Sequence, residues 1–190
     1  MKSLDLIRIP KSDPQLRGWM AAHYSAPKGF VGRQLIYRVS VDGVIYGATA
    51  AGSATRFLPG REAFFGRTIP LNNLVNNTFF HVEKQGGRYP FGNFTARVVA
   101  AWRKTVLADW LTYYGDAVLG WETLVELPRT GTLYARDGWT EVGMTKGQTC
   151  KRVAGKSTDS WSGKRMWDTK NLRPKRVFVR EVNKHETIEV

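Results

Sequence analysis

Cysteine is nearly absent from these 190 residues: Cys150 stands alone. One thiol supports neither an internal disulfide framework nor a multi-cysteine zinc site. Histidine is also scarce, at three residues, so any site built on imidazole has few candidates. No stretch approaches the roughly eighteen uninterrupted apolar residues of a membrane-spanning helix. The opening segment Met1-Lys2-Ser3-Leu4-Asp5-Leu6-Ile7-Arg8 lacks the long apolar core and small-residue cleavage site of a signal peptide. The expectation is therefore a soluble, cytoplasmic protein with no membrane partner. Acidic residues are under-represented, with 16 Asp and Glu against 29 Lys and Arg, a formal net charge of +13. A surplus of that size favours a polyanionic partner over a neutral metabolite.

What is present fits one domain with a real core: 42% of residues are apolar and 12% aromatic, too many for a disordered chain. The charge is unevenly spread. Between Met144 and Arg180 eleven basic residues face only Asp159 and Asp168, a local charge of +9. Trp161, Trp167 and Phe178 are interleaved with them, a mixture suited to phosphate neutralisation combined with base stacking. Lys164, Arg165, Arg173, Lys175 and Arg176 are the expected phosphate contacts, with Trp161 or Trp167 stacking on a base, and Arg56, Arg61 and Arg67 extending the basic surface. This divides the chain into a main domain, residues 1–154, and a basic, aromatic-containing extension, residues 155–190, packed on or beside it.

Periodicity supplies the elements. Ser3 to Ile9 reads as a strand, and Ser12-Asp13-Pro14 leads into a short helix from Gln15 to His23. Gln34 to Ser40 and Val44 to Ala51 flank the tight-turn pair Asp42-Gly43, the signature of a hairpin. Gly60 to Gly66 reads as a loop. Thr68 to Val75 and Thr78 to Val82 read as one strand interrupted near Asn76-Asn77, or as two. From Asn93 to Tyr114, the positions Phe94, Val98, Trp102, Val106, Trp110 and Tyr113 recur at helical spacing, with Asn93 or Thr95 as N-cap and Gly115 as C-cap. Ala117 to Val125 and Trp139 to Met144 read as strands around a short helix or turn from Thr130 to Asp137. Gly155 to Gly163 reads as a flexible loop and Arg176 to Glu181 as a late edge strand. The order predicts an α/β fold: a mixed, twisted sheet with helices on both faces. It matches the acyltransferase fold of the GCN5-related N-acetyltransferase (GNAT) type.

Two stretches carry a more specific likeness. Ala22-His23-Tyr24-Ser25 precedes the hairpin, and Gly120-Trp121-Glu122-Thr123-Leu124-Val125 is followed by Gly131-Thr132-Leu133-Tyr134-Ala135-Arg136-Asp137-Gly138-Trp139 and Val142-Gly143-Met144-Thr145-Lys146-Gly147. Together they resemble the Mom family of phage DNA-modification proteins and the related domain of Druantia anti-phage systems. Those relatives carry an early His-Tyr pair, a carboxylate-Thr dipeptide on a strand, a Gly-x-x-Tyr-x-Ala segment, an aromatic and a Gly-x-Thr turn. The match runs from about Leu16 to Arg152. It implies a GNAT-like fold and transfer of a carbamoylmethyl group to the exocyclic amine of adenine in DNA, so that restriction enzymes fail to cut. The donor it implies is acetyl-CoA or another small molecule, with Asn93, Thr95 and Arg97 where GNAT enzymes hold the pyrophosphate. Gly92 stands alone there, in place of the usual spaced glycines.

An exocyclic adenine amine is a poor nucleophile, because its lone pair is delocalised into the ring. Transfer to it needs a positioned base, an activated electrophile or a metal. His23, Tyr24, Glu122 and Tyr134 are the candidate catalytic residues. The resemblance further implies iron, with His23 and Glu122 as ligands. The alternative for Glu122 is an ion pair with an arginine at the core's edge, and His81, between Phe80 and Val82, reads as a packed core residue. Reaction within duplex DNA requires the adenine to be flipped out of the stack. Two other functions fit the same residues: an N-acetyltransferase acting on a small molecule or protein, and a non-catalytic nucleic-acid-binding domain.

Overall fold

The structure is a computed structural model that describes residues 2–25, 29–147, 149–152, 165–168 and 172–183. Strand β1 (Leu4–Ile9) leads into helix α1 (Pro14–Ala22), then β2 (Gln34–Val41), β3 (Val44–Ser53), the short α2 (Arg61–Phe65), a single 3-10 turn (Leu71–Asn73) and β4 (Leu74–Val82). The long helix α3 (Phe94–Tyr114) follows, then β5 (Gly120–Glu126), α4 (Thr132–Arg136), β6 (Thr140–Met144), β7 (Thr149–Arg152), β8 (Arg165–Asp168) and β9 (Lys175–Glu181). Seven strands form one mixed sheet in the order β1-β2-β3-β4-β5-β9-β6, and β7 with β8 makes a separate ribbon. The expected α/β architecture is present. Among the described residues no helix is long and apolar enough to cross a membrane.

Local chemistry explains most boundaries. The Asp13 carboxylate caps α1 by accepting from the Gln15 N–H at 2.9 Å, and Pro14 opens the helix where no N–H is needed. In α3 the residues Phe94, Val98, Trp102, Val106 and Trp110 are buried at helical spacing, against Tyr37, Val75 and Trp121 of the sheet. Each buried tryptophan removes enough apolar surface to contribute roughly 5 kcal/mol on an area basis. Tyr113, placed by its spacing on that stripe, is instead half exposed beneath the Arg8 guanidinium. On the opposite face Leu16 of α1 packs with Ile9, Ile36, Ala48 and Phe79. The sheet is thus covered by α1 on one face and by α3 on the other.

Four expectations need correction. Gly60 to Gly66 is a helical turn, α2, bracketed by two left-handed glycines. Thr68 to Val75 is strand only from Leu74, after the 3-10 turn, while the interruption expected near Asn76-Asn77 is a bulge: the β3–β4 register steps from Ala50/Phe79 to Ala51/Asn77, leaving Thr78 as an extra residue. Asn93 precedes α3 in a left-handed conformation, φ 54°, and its side chain makes no capping bond, while Thr95 lies inside the helix. Finally, Arg176 to Glu181 is no edge strand, because β9 is inserted between β5 and β6 and pairs antiparallel with both. Val177, Phe178 and Val179 are all buried. An unbroken apolar run is what a strand covered on both faces shows. The Gly155–Gly163 loop, Trp161 and Lys164 lie outside the described residues.

Candidate active site

Strands β4 and β5 run parallel and pair at only three positions, Leu74/Gly120, Val75/Trp121 and Asn76/Glu122. Beyond them the bulge at Thr78 bends β4 away, and the strands diverge around a cleft of about 920 Å³. Thr123 reaches across the gap, its hydroxyl donating to the Asn77 carbonyl at 2.9 Å. Asn77 is held from three sides: its amide donates to the Thr49 hydroxyl and the Ala50 carbonyl, and its Oδ1 accepts from the Tyr134 hydroxyl at 2.7 Å.

The cleft collects side chains from distant segments. His23, Tyr24, His81, Thr95, Arg129, Tyr134 and Lys175 all line it. Chain geometry explains how. His23 terminates α1, where the backbone leaves the helix at φ −68°, ψ 136° and turns the imidazole onto β4. Its ring centroid lies 4.9 Å from Phe79 and 5.9 Å from His81, and its Nδ1 accepts from the Ser25 amide. Burial pushes the His23 pKa down to about 4, aided by the neighbouring His81, Arg129 and Lys175, so the imidazole is neutral at pH 7. Tyr24 is partly exposed, with the Arg129 guanidinium 4.1 Å over its ring. Burial holds the pKa of both Tyr24 and Tyr134 above the ordinary phenol value, so each keeps its proton as a donor.

Tyr134 is set in place by the turn that starts α4. Gly131 has φ 72°, and a Cβ there would fall 2.4 Å from the Phe178 ring. Only glycine lets the chain pass so close. At the other end of α4, Asp137 receives a two-pronged bond from the buried Arg103 of α3 and a third from the Trp139 indole.

Glu122 sits apart. Its side chain is 0% exposed and does not line the cleft. Oε2 accepts from Arg61 Nη1 at 2.8 Å, while Oε1 accepts from the Thr55 N–H at 2.5 Å and from Asn76 Nδ2 at 3.4 Å. Burial pushes its pKa up, opposed by the Thr55 amide and by Arg61. This is the arginine pairing weighed from sequence. Arg61 is itself buried and does not add to an exposed basic surface. His23 and Glu122 share no partner, and a guanidinium already occupies the carboxylate. The donor set therefore does not fit the iron expected from the resemblance, and among the described residues no group of three or more His, Cys, Asp or Glu is placed to hold a metal ion.

The residues expected to hold a donor lie at the start of α3. Thr95 lines the cleft; Arg97 is turned aside, its guanidinium 4.4 Å over the Phe91 ring; Asn93 contributes its carbonyl to the Arg97 N–H. The first turn of a helix carries free N–H groups and the positive end of the dipole, so an anionic group fits here. Of the expected DNA contacts, Arg173 is exposed and 3.7 Å from Glu126, Lys175 enters the cleft wall, and Arg176 is engaged by Glu141 through both carboxylate oxygens. Arg165 and Trp167 belong to β8. His81 was missed as a cleft residue because its apolar neighbours in sequence concealed that β4 lines the gap from Asn76 to Val82. Arg129 carried no signal, standing in a loop that only the sheet brings opposite α1.

No family model and no curated protein sequence matches the chain. Solved structures do. A GNAT family acetyltransferase from Elizabethkingia anophelis with acetyl-CoA bound is 8% identical, with a TM-score of 0.53 over 94% of this chain and 98% of that one. A Bacillus subtilis acetyltransferase in complex with CoA is 7% identical, with a TM-score of 0.56 over 95% and 100%. An aminoglycoside acetyltransferase in complex with coenzyme A and kanamycin is 11% identical, with a TM-score of 0.55 over 97% and 96%. At these identities the likeness speaks for architecture alone. From the seven-stranded mixed sheet, the parted central strands and these neighbours, the chain has the fold of the GNAT acetyltransferases.

Proposed function

We propose that the protein is an N-acyltransferase that moves a small acyl group from a coenzyme A-type thioester to an amine. The observation that carries this reading is the gap between β4 and β5. Past Asn76, β4 has no strand ladder on its β5 side, only the Thr123 hydroxyl on the Asn77 carbonyl, and an extended, amide-bearing donor arm would fit beyond that contact as a further strand does. The Thr95 end of α3 would receive the donor's phosphates. A thioester supplies the activated acyl carbon: the C–S bond breaks as the C–N bond forms. The chain's own groups handle the protons. Tyr134, held protonated by burial and bonded at rest to Asn77 Oδ1, exchanges that bond for one to the departing sulfur and donates its proton there. The neutral His23, with His81 beside it, lies in the same cleft, and its Nδ1 accepts the amine's proton on giving up its 3.3 Å contact with the Ser25 amide.

A second reading is favoured by the charge of +13 and by the meeting of His23, Tyr24 and Tyr134 in one cleft: the acceptor is adenine in DNA, as the resemblance to Mom proteins implies, and the group is carbamoylmethyl. One experiment separates the two. Nucleosides from DNA of cells expressing the protein are analysed by mass spectrometry beside cells expressing Tyr134→Phe, and the purified protein is assayed for thiol release from acetyl-CoA with kanamycin, spermine and a lysine peptide as acceptors. Thiol release with unmodified DNA supports the first reading, and a new deoxyadenosine derivative supports the second. DNA binding with neither activity would refute both and leave a binding module.

A further inference from the structure

Residues 54–60, between β3 and α2, form a loop whose mounting and tip have no role in the chemistry above. The mount is rigid. Arg61 donates to the Thr55 carbonyl at 2.6 Å and to the Arg56 carbonyl at 3.2 Å while paired with the buried Glu122, and Glu122 in turn accepts from the Thr55 N–H. At its far end Gly60, φ 74°, lies so close to β6 that a Cβ would meet the Val142 carbonyl at 2.1 Å. The loop also adjoins the cleft: Asn76, one of the cleft's lining residues, donates to the Thr55 hydroxyl at 3.2 Å. A buried ion pair and two backbone clamps are a great deal of fixing for a surface connection.

What this mount holds out is Phe57, 81% exposed, with the Arg56 guanidinium 5.3 Å from its ring centre. Both side chains face solvent, and Arg56 makes no ion pair among the described residues. One exposed phenylalanine is ordinary. A phenylalanine fixed beside an unpaired cation, next to the cleft, presents the two contacts that single-stranded nucleic acid takes: a ring to stack on a base and a charge for the neighbouring phosphate.

We propose that residues 54–60 are a nucleic-acid-contacting finger, in which Phe57 stacks on an unpaired base and Arg56 meets the adjacent phosphate, with Glu122 and Arg61 as positioning residues that fix its direction. The inference deepens the DNA-directed reading by naming how that partner is gripped, and it makes Glu122 a support of binding with no part in proton transfer.

The test is fluorescence anisotropy with the full chain and a fluorescein-labelled oligo(dA) about a dozen nucleotides long, titrated at several salt concentrations. Phe57→Ala is expected to weaken binding by about tenfold without altering the slope of log K against log salt, because the lost contact carries no charge, and Phe57→Tyr to restore it. Arg56→Ala is expected to lower that slope by about one. Ile7→Ala, exposed on the edge strand β1, is expected to change neither. Binding unchanged in Phe57→Ala, a loss that Phe57→Tyr does not rescue, or no binding of the oligonucleotide by the unaltered chain would each overturn the finger. None of these depends on catalysis. A positive result with unmodified cellular DNA would leave the finger standing and remove the DNA-modification reading, and the reverse pair of results would do the opposite.

Discussion

Replacing Arg61 by alanine tests the Glu122 assignment directly. The change removes the 2.8 Å partner of a carboxylate that is 0% exposed, leaving only the Thr55 amide and Asn76 to stabilise its charge. Breaking one side of a buried pair costs about 3–5 kcal/mol. For a chain of this length that lowers the melting temperature by roughly 6–20 °C. The deficit should depend on pH with a definite sign. Burial already raises the Glu122 pKa, and loss of the guanidinium raises it further. A carboxyl whose folded pKa exceeds its unfolded value contributes most below the unfolded value and loses that contribution as pH rises. The gap between variant and parent should therefore be smallest near pH 5 and widen toward pH 8. Urea unfolding at both pH values measures it. The double change Arg61→Met with Glu122→Leu should recover most of the loss, since two well-packed apolar groups replace a buried ion pair at little cost. A deficit below about 1 kcal/mol, flat with pH, would refute the reasoning by placing Glu122 in a solvated site.

Three further outcomes follow from the cleft. His23, with its pKa pushed down to about 4, contributes stability that is complete above the unfolded value near 6.5 and lost as pH falls toward 4, on the order of 3 kcal/mol at most. His23→Phe should flatten that part of the stability profile between pH 7 and pH 4.5, and an unchanged profile would mean the imidazole is solvated. Tyr134→Phe leaves Asn77 Oδ1 without its 2.7 Å donor and should destabilise the fold by about 1–3 kcal/mol. If it protonates the leaving sulfur, kcat should drop by about a hundredfold with KM little changed. Gly131→Ala forces a Cβ to within 2.4 Å of Phe178 at φ 72°; chemical denaturation should show a loss of about 2 kcal/mol, and near-ultraviolet circular dichroism a displaced Tyr134–Phe178 cluster.

Sequence alone determined what depends on neighbours along the chain. The hairpin at Asp42-Gly43, the α3 stripe from Phe94 to Trp110 and the glycine that ends α3 are local preferences written in consecutive residues, and they sufficed for the α/β class. Position within the sheet was decided by tertiary structure. The unbroken run Val177-Phe178-Val179 is the mark of a strand covered on both faces, but nothing in it says that its neighbours are β5 and β6, because strand pairing over such distances leaves no local trace. The cleft divides in the same way. His23, Tyr24 and Tyr134 were legible through motif resemblance, and they converge on one cleft. His81, Arg129 and Asn77 were not, since each is unremarkable among its sequence neighbours and gains its place only where β4 and β5 part. Glu122 shows the limit most clearly. Sequence placed a carboxylate on a central strand, where burial demands a partner, but whether that partner was a substrate, a metal or an arginine depended on the loop at residues 54–61, folded more than sixty positions away in the chain.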